Sequence, residues 1–123
     1  MKLNLTDEQK QQLRSNMESI RDYFLAQTSD MEEIGLNYIF IDFGERCEIN
    51  VDTADEGKVN GRTGGLYIYF DPEKKGYKCD TAAWDYESYA VALMNEWPCV
   101  KSAFTQKLQD KRDTLSLIAN FEV

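Results

Sequence analysis

Leu36-Asn37-Tyr38-Ile39-Phe40-Ile41-Asp42-Phe43 is the stretch that decides the fold. Side chains of a strand point alternately to its two faces, so Ile39, Ile41 and Phe43 share one face while Tyr38, Phe40 and Asp42 share the other. The same alternation returns downstream. Arg46 to Val51 sets Cys47, Ile49 and Val51 against Arg46, Glu48 and Asn50, and Leu66, Ile68 and Phe70 alternate with Tyr67 and Tyr69. Gly44-Glu45 reads as the turn between the first two strands, and Asp71 to Gly76 as a turn into a short strand, Tyr77 to Cys79. An antiparallel sheet of three or four strands is predicted, aliphatic on one face and rich in aromatics on the other.

Helical periodicity flanks this sheet. Thr6 and Gln9 match a capping box, Asp7 and Glu8 suit the positive end of a helix, and Leu13, Met17, Ile20 and Phe24 mark one buried face. The helix is expected to fray near Thr28 to Asp30, with a connector through Glu33 and Gly35. A second helix, starting between Thr81 and Asp85, carries Tyr86, Ala90, Leu93 and Trp97 on a stripe, and Pro98 ends or kinks it. A last helix from about Cys99 to Asn120 carries Val100, Phe104, Leu108, Leu115 and Ile118 on one face. The order is α-β-β-β-(β)-α-α in a single α+β domain spanning residues 1–123. Between the second and third strands, Asp52 to Gly65 is Gly-rich and patternless, and reads as a mobile loop.

The 123 residues include no histidine, and three cysteines, Cys47, Cys79 and Cys99, stand far apart. A Ser/His/Asp triad, a Cys/His dyad and a histidine-ligated zinc site are thereby excluded. The cysteine spacing matches neither a disulfide framework nor a metal pair, so reduced thiols in a cytoplasmic protein are expected. Neither end shows the apolar run of a signal peptide or a membrane span. The net charge of −8 is spread as −3, −3 and −2 over residues 1–35, 36–80 and 81–123. Such a charge disfavours direct binding to nucleic acid or to an anionic membrane, both of which need a basic footprint, and suits docking on a basic protein surface.

Several groups of residues are candidates for chemistry. The loop carries Lys58 and Arg62 for phosphate, and Asp52, Asp55 and Glu56 for calcium, but lacks the spacing of a phosphate loop and of an EF-hand. Neither a metal nor a cofactor is expected. The aromatic sheet face, Tyr38, Phe40, Tyr67 and Tyr69 beside Asp42 and Glu48, is either covered by the C-terminal helices or an interface, because tyrosines are common interface anchors. The last helix holds the local cluster of positive charge, Lys101, Lys107, Lys111 and Arg112. As a ligand site, Lys107, Lys111 or Arg112 would grip phosphate while Trp84 or a tyrosine stacks on a base; as a solvated face, they would pair with neighbouring acids. Cys99 follows Pro98 near a helix start but has no histidine to activate it.

In size, acidity and order of elements the chain resembles the small single-domain inhibitors that phages and prophages direct against bacterial defence, anti-CRISPR proteins in particular. The resemblance implies a non-enzymatic inhibitor that masks a basic or nucleic-acid-binding surface of a host protein. The even spread of charge departs from the dense carboxylate arrays of DNA mimics. On this reading the partner-binding residues are Asp42, Glu48, Asp52, Asp55, Glu56, Tyr38, Tyr67 and Tyr69. Two alternatives stand beside it: a nucleotide-sequestering oligomer that uses Trp84, Lys107, Lys111 and Arg112, and an immunity protein that neutralises a toxin.

Overall fold

The computed structural model describes residues 3–43, 48–53, 64–83 and 85–123, and of Asp52 the main chain alone. Helices α1 (Asp7–Ala26) and α2 (Thr28–Glu33) lead into strands β1 (Tyr38–Phe43), β2 (Ile49–Asp52), β3 (Gly64–Asp71) and β4 (Gly76–Ala83), followed by helices α3 (Tyr86–Asn95) and α4 (Trp97–Ala119). The strands form one antiparallel sheet in the order β2-β1-β3-β4. The α+β class and the element order agree with the sequence, and β4 makes the fourth strand.

The helix starts follow local chemistry. The Gln9 amide donates to Thr6 Oγ1 at 3.2 Å and the Thr6 amide donates to Gln9 Oε1 at 2.9 Å, completing the capping box of α1. Asp85 caps α3, accepting from the Ser88 amide at 3.1 Å and the Ser88 hydroxyl at 2.9 Å. These bonds hold its carboxyl below the usual range. Pro98 occupies the first turn of α4, where its missing N–H costs nothing, so it opens this helix as well as separating it from α3.

The segment expected to be a connector is partly helical. Met31 of α2 is fully buried, and that burial outweighs the weak helix propensity of Thr28-Ser29-Asp30. Gly35, at φ 69°, ends the turn: its amide donates to the Glu32 carbonyl at 3.1 Å and the Leu36 amide donates to Met31 at 2.8 Å. This is the Schellman pattern, which favours glycine at that place.

Register divides the sheet as the alternation predicts. Ile39 pairs with Ile68, which pairs with Cys79, and Ile41 pairs with Val51 and Leu66. This face joins Leu13, Met17, Ile20 and Phe24 of α1, Met31 of α2, Ala90 and Leu93 of α3, and Val100, Phe104 and Leu108 of α4 in one core. Every described helix therefore contributes to the same side of the sheet. The two-sided arrangement, with the C-terminal helices over the aromatic face, is not what forms among the described residues.

Two stripe assignments are corrected. Tyr86 is 38% exposed, in the first turn of α3, while Ala90 and Leu93 are fully buried. Leu115 and Ile118 are 41% and 70% exposed instead of continuing the buried face of Val100, Phe104 and Leu108. A helix of 23 residues is about 34 Å long and outruns the sheet on which it packs. The correct period did not reveal where the support ends.

The core also contains two groups that resist ionisation. Burial pushes the Cys79 thiol up to about 12 and raises the Tyr89 phenol, whose hydroxyl donates to the Ile41 carbonyl at 2.8 Å. The native state keeps these protons after the unfolded chain has released them, so their contribution is complete below about pH 9 and is lost as pH rises toward the folded values. Urea midpoints are expected to fall from pH 8.5 to pH 11, with a shallower slope in Cys79→Ala. Equal slopes would show that the thiol titrates alike in both states.

Candidate functional site

The aromatic face is built by the pairs Tyr38–Tyr69 and Phe40–Tyr67 across β1 and β3, then Tyr67–Asp80 and Tyr69–Lys78 across β3 and β4. Residues directly opposite in an antiparallel sheet share a face, so the register gathers these side chains into one patch. Phe40 and Tyr67 stack with ring centroids 5.9 Å apart, and Tyr67 and Tyr69 lie 6.3 Å apart. Phe40 is fully buried and Tyr38 is 3% exposed, so neither offers surface to a partner. Tyr67 and Tyr69 are half-buried, and Asp80 is exposed beside them.

Hydrogen bonds order the charges of this patch. The Tyr69 hydroxyl donates to Asp80 Oδ2 at 2.6 Å, and this bond, more than burial, raises the phenol above its ordinary range. Burial, then the nearby Asp80 charge, raises Tyr67. Lys78 Nζ lies 3.0 Å from Asp71 Oδ2, holding the Asp71 carboxyl below its usual range and the lysine above its own. The Glu73 amide adds a bond to Asp71 Oδ1 at 3.0 Å. The result is two oriented tyrosines with an open carboxylate at Asp80 and a compensated one at Asp71.

The other candidate residues are dispersed around this patch. Asp42 is half-buried and pairs with Asn50 at the end of the face remote from Asp71, and Glu48 is exposed just before β2. Asp52 pairs with Phe40. The Asp52 side chain and Asp55, Glu56 and Trp84 lie outside the described residues, as do Cys47, Lys58, Arg62 and the turn at Gly44-Glu45. Asp80 was not singled out in the sequence because β4 was expected to stop at Cys79, and Asp71 and Lys78 were not because only the pairing of β4 with β3 sets Lys78 opposite Tyr69 and within reach of Asp71. Continued to Ala83, the same period-two rule places Lys78 and Asp80 beside the tyrosines.

The positive cluster divides. Lys107 lines an open groove of about 610 Å³ between β2 and α4 together with Asp42, Asn50, Gln106 and Asp110. Two carboxylates and one ammonium make that groove poorly suited to phosphate. Arg112 turns toward α2, with Nη2 3.9 Å from Asp30 Oδ1, and Lys101 sits 5.5 Å from the Trp97 ring centroid. Lys111, half-buried, is one turn beyond Lys107. Gly64 and Gly65, read as the end of a phosphate-type loop, are the first residues of β3.

Among the described residues no three His, Cys, Asp or Glu side chains gather as a metal set, and no helix is long and apolar enough to cross a membrane. Comparison with protein families, curated proteins and solved structures finds no match, so a functional reading rests on the residues of this chain.

Proposed function

We propose that the chain is a non-enzymatic binding protein that docks the aromatic, acidic face of its sheet on a basic surface of a protein partner. The observation that carries this reading is the patch formed by half-buried Tyr67 and Tyr69 with exposed Asp80, on the side of the sheet opposite the helices. Tyrosines held in place lose little entropy on binding, and the carboxylate orients a cationic partner. The narrower proposal, a mobile-element inhibitor of a host defence protein, is supported by the size, acidity and element order of the chain.

The test compares wild-type protein with Tyr67→Ala and Tyr69→Ala together, and with Asp71→Asn and Asp80→Asn together, first by capture from host cells and then with the purified partner. Loss of the tyrosines is expected to weaken affinity by about 30-fold or more, the scale of an interface hot spot. Neutralising the acids is expected to slow association and reduce its salt dependence. Adding Asp55→Asn and Glu56→Asn tests whether these two acids also contribute to steering. Binding unchanged in both sets of variants, or a nucleotide bound at micromolar affinity and lost with Lys107→Ala, overturns the proposal.

A further inference from the structure

Asp71 and Asp80, the two carboxylates beside the sheet tyrosines, differ in their partners. Asp71 is compensated by Lys78 at 3.0 Å, whereas Asp80 takes part in no ion pair among the described residues and accepts the Tyr69 hydroxyl on Oδ2 at 2.6 Å. That bond orients the Asp80 carboxylate without neutralising it, since a phenol brings a dipole and no charge. Tyr67 lies directly opposite Asp80 across β3 and β4, and one face of its ring stacks on buried Phe40, 5.9 Å away at an interplanar angle of 16°. The other face of the ring is turned away from Phe40, and among the described residues no cation lies over Tyr67 or Tyr69.

We infer that this corner of the sheet receives an arginine side chain of the protein partner, its guanidinium lying on the Tyr67 ring and donating to Asp80, an inference that rests on the docking reading of the same face. The geometry of the rings and of the acceptor selects a guanidinium over an ammonium. Tyr67 and Tyr69 are 6.3 Å apart and tilted by 54°. Two rings need roughly 7 Å to hold a group between them, so these two form an open platform and not a cage. On a platform an ammonium keeps most of its hydration shell and gains little from the rings. A guanidinium is flat and more weakly hydrated, so it stacks on a single ring face and still donates from its edge. The acceptor is within reach of that edge, because opposite residues of an antiparallel pair have Cβ atoms about 5 Å apart and the Tyr69 bond leaves Asp80 Oδ1 open. Lys78, on the same face, is engaged by Asp71 and does not satisfy Asp80. A carboxylate already ordered by Tyr69 also loses less freedom when the arginine arrives.

End-blocked hexaarginine and hexalysine, equal in charge and length, separate this inference from the reading on which it rests. Each is titrated into the full chain at about 0.15 M salt, which screens diffuse attraction to an acidic protein, while NMR follows the ring signals of Tyr67 and Tyr69. Hexaarginine is expected to shift both rings and to bind about tenfold more tightly than hexalysine. Asp80→Asn and Tyr67→Leu, each alone, are expected to bring the two peptides to within about twofold of each other, with the remaining amide spectrum unchanged as the check on folding. Equal affinity of the two peptides at the tyrosines overturns the inference and leaves the basic-surface reading standing, whereas binding of neither overturns both. A preference for hexaarginine that survives both substitutions, or that leaves the Tyr67 and Tyr69 signals unmoved, places the arginine elsewhere and overturns the inference as well.

Discussion

Phe24→Ala is expected to lower the unfolding free energy by about 3–5 kcal/mol, the range for truncating a fully buried aromatic. Phe24 is fully buried, with its ring centroid 5.6 Å from Tyr23, 5.5 Å from Trp97 and 5.0 Å from Phe104. These edge-to-face contacts join α1 to both the start and the middle of α4, so a cavity there loosens the N-terminal helix from the C-terminal one. Since single domains are stable by only about 5–15 kcal/mol, the variant should lie close to its unfolding threshold at 37 °C. Urea denaturation monitored by circular dichroism measures the loss. A cycle with Phe104→Ala should show coupling of about 1 kcal/mol, because the two rings share one pocket. A loss below about 1.5 kcal/mol would mean that the neighbouring rings close the cavity.

Gly65→Ala is expected to destabilise by about 2–3 kcal/mol, opposite in sign to what chain entropy and strand propensity suggest. Gly65 has no positive φ to explain its identity. A Cβ there would come within 2.6 Å of the Ile41 carbonyl oxygen and 2.6 Å of Phe40 Cζ. The carbonyl belongs to the strand backbone, so the clash cannot be relieved by turning a side chain. Relief of crowding at the ring by Phe40→Leu should recover part of the loss in urea denaturation and leave the backbone part. If Gly65→Ala is instead stabilised by about 0.4–1 kcal/mol, the entropic account holds and the close packing of β1 on β3 is looser than described.

How far the sequence could be read depended on the range of the interaction concerned. Capping by Thr6 and Gln9, the two-faced alternation of β1 and β3, and the buried stripe of α1 arise between residues a few positions apart, and all three were legible. The end of β4 was not, because Asp80, Thr81 and Ala82 resemble a helix lead-in until strand pairing with β3 claims them. Nor was α2, whose six residues have no side-chain cap at their start and are held by burial of Met31. At the candidate site, Tyr67 and Tyr69 were found by alternation, but the same alternation left Tyr38 open between an interface and a covered face, and it is buried. The division of the basic cluster, with Lys107 toward β2 and Arg112 toward Asp30, depends on where α4 crosses its neighbours.

By itself the sequence determined the class of fold, the absence of histidine chemistry, the acidic balance and the partition of the strands into an aliphatic and an aromatic face. Those follow from composition and from the geometry of single elements, in which each side chain's direction is set by its own backbone. The tertiary structure alone decided that the helices all contribute to the aliphatic face, that Gly65 makes room for the Phe40 ring, and that the apolar stripe of α4 runs past its support to leave Leu115 and Ile118 in solvent. Periodicity states which way a side chain points. Whether anything stands there depends on the lengths and crossings of elements far apart in the chain, through contacts that no local pattern encodes.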